Sequence, residues 1–151
     1  MDTTFDHISR NKLPQLPPGD VFDANCPSRT VVEMLANKWT VLVVQSLASG
    51  PRRFGEIRRQ VEGVTQKMLT QSLRSLERDG LATRTVYATT PPSVEYALTP
   101  LGKGLIRITD RMCRWAEANM VEVVLARRSY DKGADVPANT TKVLARRNQT
   151  A

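Results

Sequence analysis

At 151 residues, with 40% hydrophobic and 25% charged residues, the chain is sized for one soluble globular domain with a modest core. Its formal net charge of +7 favours an anionic partner. No apolar run is long enough to span a bilayer, and MDTTFDHISRNK has neither the basic start nor the apolar block of a signal peptide, so a cytoplasmic protein without membrane contact is expected.

Residues 1–25 contain PQLPPGD and little apolar periodicity, and are expected to form an extended or disordered arm. Pro27 suits the first helical position and opens a helix over 28–36, with Val31, Val32 and Leu35 inward. Asn37, tolerant of the left-handed conformation, is expected to terminate it. The almost wholly apolar WTVLVVQSL (39–47) predicts a central core helix, stopped by Gly50-Pro51. A third helix over 54–61 turns Phe54, Ile57 and Val61 inward and breaks at Gly63.

The stretch TQKMLTQSLRSLERDG (65–80) has a start signal, a stop signal and a helical period. Thr65 can cap its first amides, and Gly80 suits its C-terminus. Leu69, Leu73 and Leu76 fall on one face; Lys67, Thr70, Gln71, Arg74 and Arg78 fall on the other. LATRTVYA (81–88) and VEYAL (94–98) then read as strands, and the two prolines of the intervening TTPPS exclude a tight two-residue hairpin. Thr99 and Pro100 open a last, long helix. In it Leu101, Leu105, Ile108, Met112 and Trp115 alternate in steps of four and three, a coiled-coil-like spacing that asks for a partner helix. From about Arg127 the chain again looks like a flexible, basic tail. Loose DNA contact from that tail is the alternative to plain solvation. The expected boundaries are therefore an arm at 1–25, a domain at 26–126 and a tail at 127–151.

Two short helices joined by a glycine-containing turn, then a two-stranded hairpin, make a helix-turn-helix with a wing. The expected fold is mainly α, formally α+β: a winged helix-turn-helix with a long C-terminal dimerisation helix. Charge agrees with it. Residues 52–84 carry Arg52, Arg53, Arg58, Arg59, Lys67, Arg74, Arg78 and Arg84 against Glu56, Glu62, Glu77 and Asp79. A basic segment on a helix-rich core points to double-stranded DNA. Cys26, Cys113 and the lone His7 supply no zinc cluster, no histidine-dependent triad is available, and no glycine loop cradles phosphate. No metal, no cofactor and no enzymatic constellation is expected.

The strings CPSRTVVEMLANKW, RRFGEIRRQVEGVTQKMLTQSLRSLERDGL and VYATTPPSVEYALTPLG, in this order, resemble the HxlR family of small bacterial winged-helix transcription regulators, related in fold to the MarR proteins. The resemblance covers roughly residues 26–120. One departure is that Ala36-Asn37 stands where the family often has a glycine pair before Lys-Trp. The resemblance implies a homodimer assembled through the first and last helices and bound to a palindromic operator. It also implies regulation of nearby genes, often repression relieved by electrophiles, oxidants or small metabolites.

Gln66, Lys67, Thr70 and Gln71 are the candidate base or phosphate contacts, and Arg74 the candidate phosphate contact one turn later. Arg58 either touches the duplex backbone or pairs with Glu77. Arg84 either reaches a phosphate or the minor groove, or pairs across the strands with Glu95. The wing tip carries no cation. Cys26, at the N-cap before Pro27, is a candidate low-pKa thiol, favoured by the helix dipole and by Arg29. Redox-sensing relatives, by resemblance, use a cysteine at this place. Cys113 is either a resolving thiol for the partner subunit's Cys26 or a small buried hydrophobe. Two rivals remain open: a small-molecule effector at the dimer interface in place of oxidation, and a winged-helix protein-interaction module without DNA.

Overall fold

The computed structural model describes residues 18–133. The beginning of the expected arm and the end of the expected tail lie outside them. The elements, in order, are α1 (Pro27–Leu35), α2 (Lys38–Ser46), β1 (Arg52–Arg53), α3 (Phe54–Gln60), α4 (Gln66–Arg78), β2 (Ala82–Tyr87), β3 (Ser93–Leu98) and α5 (Pro100–Asp131). The chain forms two compact units, one ending at Ile106 and one beginning at Arg107.

In the first unit a single core joins Val43, Val44 and Leu47 of α2, Ile57 of α3, Leu69, Leu73 and Leu76 of α4, and Tyr96 and Leu98 of β3. The i, i+4, i+7 leucines of α4 are wholly buried, each contributing about 1.5–3 kcal/mol. The helix is closed at both ends by local chemistry. Thr65 Oγ1 accepts from the Met68 amide at 3.2 Å. At the other end Leu81 N donates to Leu76 O at 2.8 Å and Gly80 N to Glu77 O at 3.1 Å. That is a Schellman termination, and it needs the positive φ of 69° that Gly80 adopts. Between α2 and α3, Ser46 Oγ donates to Gln60 Oε1 at 2.8 Å, and Arg52 Nε donates to Ser46 O at 2.7 Å. Arg52 is thus spent on holding the end of α2.

The sheet is antiparallel with order β1-β3-β2. The β2–β3 hairpin pairs Ala82 with Leu98, Arg84 with Tyr96 and Tyr87 with Ser93. Its five-residue tip, 88–92, fits the expected long connection. The third strand was not expected: two residues, Arg52 and Arg53, pair with Tyr96 and Glu95. With α3–α4 and the hairpin, this is a winged helix-turn-helix.

Four expectations are corrected. Asn37 does not end α1 in a left-handed turn. Its φ is −73°, and its side chain accepts from Trp39 N at the start of α2, so the asparagine is spent as an N-cap. Val31 and Val32 are not inward but 42% and 50% exposed. The first helix reaches the core only through Met34 and Leu35 at its far end. Residues 20–25 are not extended: Asp20 and Asp23 carboxylates accept from Phe22 N and Asn25 N at 2.9 Å each, shaping turns before α1. Finally, α5 runs through Asp131, beyond the expected boundary at 126.

The second unit is described by itself. Along its helix Ile108, Met112 and Trp115 share one side and are exposed, Trp115 to 64%. Arg114 and Asp110 pair along the helix at 2.9 Å.

Candidate nucleic-acid interface

Docking α4 by its leucines decides what the rest of the helix faces. Gln66, Lys67, Gln71 and Arg74 are exposed and Thr70 is half-buried. These five together line one shallow depression of about 550 Å³. The Thr70 hydroxyl donates to Gln66 O at 2.8 Å, so its proton is already used inside the helix and only its lone pairs remain for a partner. The arrangement offers two amides, one hydroxyl oxygen and two cations from the N-terminal half of a firmly held helix. That is the chemistry that reads base edges and phosphates in a major groove.

The outlying candidates do not border this depression. Arg58 is exposed on α3 and does not pair with Glu77; among the described residues the ion pairs are Arg29–Glu33 and Arg114–Asp110. Arg84 does not pair with Glu95 either. The register sets it opposite Tyr96, and Glu95 instead accepts from Tyr87 OH at 3.2 Å. That bond, with the charge of Glu95, raises the Tyr87 pKa. Both arginines remain solvent-facing.

A second concavity, of about 440 Å³, opens between the start of α4 and β3. Gln66 and Thr70 border it as well, so it adjoins the depression on α4. Its other walls include Arg53, Phe54, Val94 and Tyr96. The sequence reading missed it, although the bare Gly55 inside a helical pattern was a visible signal.

Cys26 is the N-cap of α1, as expected, and is buried. Its sulfur lies 3.1 Å from Ser28 Oγ and accepts from Asp20 N at 3.3 Å. The hydroxyl of Ser28, then the amides of Asp20 and Ser28, hold its pKa below the ordinary thiol value, against desolvation and the charge of Asp23. Arg29 is not the cause foreseen, because its guanidinium pairs with Glu33 at 3.2 Å. Cys113, half-buried in the second unit, is likewise a free thiol. Among the described residues no group of His, Cys, Asp or Glu could hold a metal ion, and no helix is long and apolar enough to cross a membrane.

The family model for HxlR-like helix-turn-helix proteins matches residues 34–123. The chain belongs to the HxlR-like family. It is a transcriptional regulator of that helix-turn-helix type. The match begins at Met34, so Cys26 lies outside it. Among relatives of this HxlR-like regulator, the uncharacterized HTH-type transcriptional regulator YtfH of Escherichia coli (strain K12) is 42% identical over 113 residues, 75% of this chain and 90% of that one. The solved structure of ytfH from Salmonella typhimurium, a candidate transcriptional regulator, aligns with a TM-score of 0.70 at 40% identity, covering 74% of this chain and 99% of the other. The redox regulator HypR in its oxidized form aligns with a TM-score of 0.57 at 40% identity, covering 62% and 97%.

Proposed function

We propose that this regulator is a homodimeric repressor that grips a palindromic operator through two α4 helices and releases it when an oxidant or electrophile reacts at Cys26. The observation that carries the DNA reading is the α4 surface, where Gln66, Lys67, Gln71 and Arg74 face solvent from a helix anchored by three buried leucines. Gln66 and Gln71 supply amides for adenine edges; Lys67 and Arg74 supply cations for guanine or phosphate. Dimerisation is supported by apolar side chains that the described residues leave exposed: Val31 and Val32 on α1, and Ile108, Met112 and Trp115 on α5. A twofold dimer sets its recognition helices about 34 Å apart, one helical turn of the duplex, and a palindromic operator mirrors that symmetry.

The switch reading rests on Cys26 and on the likeness to a redox regulator. A lowered pKa leaves more thiolate, the species that attacks electrophiles. A hydroperoxide accepts two electrons from the Cys26 sulfur, leaving a sulfenic acid and releasing the alcohol or water. The partner subunit's Cys113 thiol then displaces water to form a disulfide. Any such bond at the head of α1 re-sets a helix that touches the core only at its far end. A displacement of a few ångströms is enough to move a recognition helix off its half-site.

Fluorescence-anisotropy titration of the reduced and the mildly oxidised protein, on the duplex upstream of its own gene with nonspecific competitor, tests this. Tight binding when reduced and release when oxidised, reversed by thiol, is the expected result. Equal binding in both states keeps the regulator and removes the thiol switch. A ligand-controlled reading then takes its place, favoured by the trough between α1 and α4, where cavities of about 300 and 600 Å³ share Glu33, Met34 and Ser75. Salt-independent binding would instead point to a protein-interaction module, since duplex binding weakens steeply with salt.

A further inference from the structure

The cleft between the first turns of α4 and β3 contains an unexplained residue. Gly55 lies in α3 and borders the cleft. Gly55 is the second residue of the seven-residue α3, where a positive φ or tight packing would be the usual reason for a glycine. Neither applies. Its φ is not positive, and a Cβ added there would meet nothing within 4 Å. Gly102 is the contrast: a Cβ there would run into the Leu81 carbonyl. No neighbour among the described residues requires Gly55 to be bare, and the open space beside it is the cleft.

The walls say what that space suits. Phe54, Val94 and Tyr96 are apolar, and Arg53 at the rim is exposed, with no ion pair among the described residues. Gln66 and Thr70 border both this cleft and the recognition face, so whatever lies along α4 continues into it. An occupant with a negative charge and a weakly polar body, continuous with a ligand already on α4, is one strand of the duplex.

We propose that this cleft seats one sugar–phosphate unit of the DNA strand that passes between α4 and the wing. The deoxyribose packs against Phe54, Val94 and Tyr96, Gly55 stays bare so that the strand can descend onto α3, and Arg53 neutralises the phosphate. The inference rests on the reading of α4 as the DNA-contacting helix and adds a register clamp to it. A backbone contact of this kind positions the protein without reading sequence.

Two full-chain variants test it, Gly55→Leu, which fills the cleft, and Arg53→Gln, which removes its cation. Each is titrated by anisotropy against the upstream duplex and a scrambled duplex at several salt concentrations. Gly55→Leu is expected to weaken both duplexes at least tenfold while leaving their ratio intact, with an unchanged circular-dichroism melt. Arg53→Gln is expected to flatten the log–log salt slope by about 1.8, the value for two phosphates lost, one at each protomer of the dimer. Wild-type affinity and slope in both variants overturn the seat while leaving α4 as the DNA helix. Absence of salt-dependent duplex binding by the wild type overturns the α4 reading and the seat with it. Should Gly55→Leu fail to fold, the Arg53→Gln slope decides alone.

Discussion

The hydroxyl of Thr99 donates to the carbonyl oxygen of Gly80 at 2.7 Å. Thr99 Oγ1 in turn accepts from Gly102 N at 3.1 Å, and the Thr99 amide donates to Leu81 O at 3.0 Å. One side chain thus caps the start of α5 and ties it to the turn that ends α4. Thr99→Val keeps the shape and loses both hydroxyl bonds. It is expected to cost about 1–3 kcal/mol in urea unfolding, whereas Thr99→Ser should cost less than about 1. A valine variant as stable as wild type would show that the cap carries nothing.

The neighbouring glycines separate packing from propensity. At Gly102 a Cβ would overlap the carbonyl of Leu81, whose own amide and carbonyl are both engaged in hydrogen bonds. Gly102→Ala should therefore destabilise by about 1–3 kcal/mol. Gly104, two residues on, meets nothing within 4 Å. Gly104→Ala should stabilise by about 0.5–1 kcal/mol through helix propensity alone. Opposite shifts in the two thermal melts are the signature, and shifts of equal sign would refute it.

The reactivity of Cys26 should follow its hydrogen bonds. Its pKa is lowered, first by the Ser28 hydroxyl, so alkylation by iodoacetamide should reach half-maximal rate at a lower pH than for an ordinary thiol. Ser28→Ala removes the largest cause and should move that midpoint upward. Linkage has a definite sign here. Because the folded thiol ionises at lower pH than the unfolded one, its ionisation stabilises the fold above the unfolded pKa. That gain fades as pH falls through the folded pKa. An alkylation profile unchanged by Ser28→Ala would mean that the hydroxyl does not control the sulfur.

If Lys67 and Gln71 read bases, Lys67→Ala with Gln71→Ala should reduce the ratio of operator to nonspecific affinity by at least about 30-fold, at about 1–3 kcal/mol for each of the two lost base contacts. Sedimentation should show the assembly intact. An unchanged footprint from this double variant would place recognition on another face.

For the proposed dimer, Trp115→Asp sets a charge into the exposed apolar side of α5. Sedimentation equilibrium should show association weakened at least tenfold, shifting the protein toward monomer, with helix content retained. Wild-type association of this variant would remove Trp115 from any interface.

Much of this protein was legible in its sequence because the signals are local. The α4 leucines repeat at helical spacing, Thr65 and Gly80 carry the chemistry of a helix start and stop, and Thr99-Pro100 opens α5. Such features depend on residues within a turn of one another, so they survive without knowledge of the fold. The polar side of α4 follows from the same period, and with it the candidate DNA contacts.

What depended on distant pieces of chain was decided only by tertiary structure. Arg52 and Arg53 are too short a run to announce a strand, and become one because β3 offers its edge. The cross-strand register, not composition, separates Arg84 from Glu95. Asn37 had two local uses, ending one helix or capping the next, and the fold chose the cap. Val31 and Val32 carry a helical apolar pattern that the core does not cover. Gly55 and Gly102 are identical letters in helices, yet one faces an open cleft and the other a carbonyl, a difference made by what folding brings alongside.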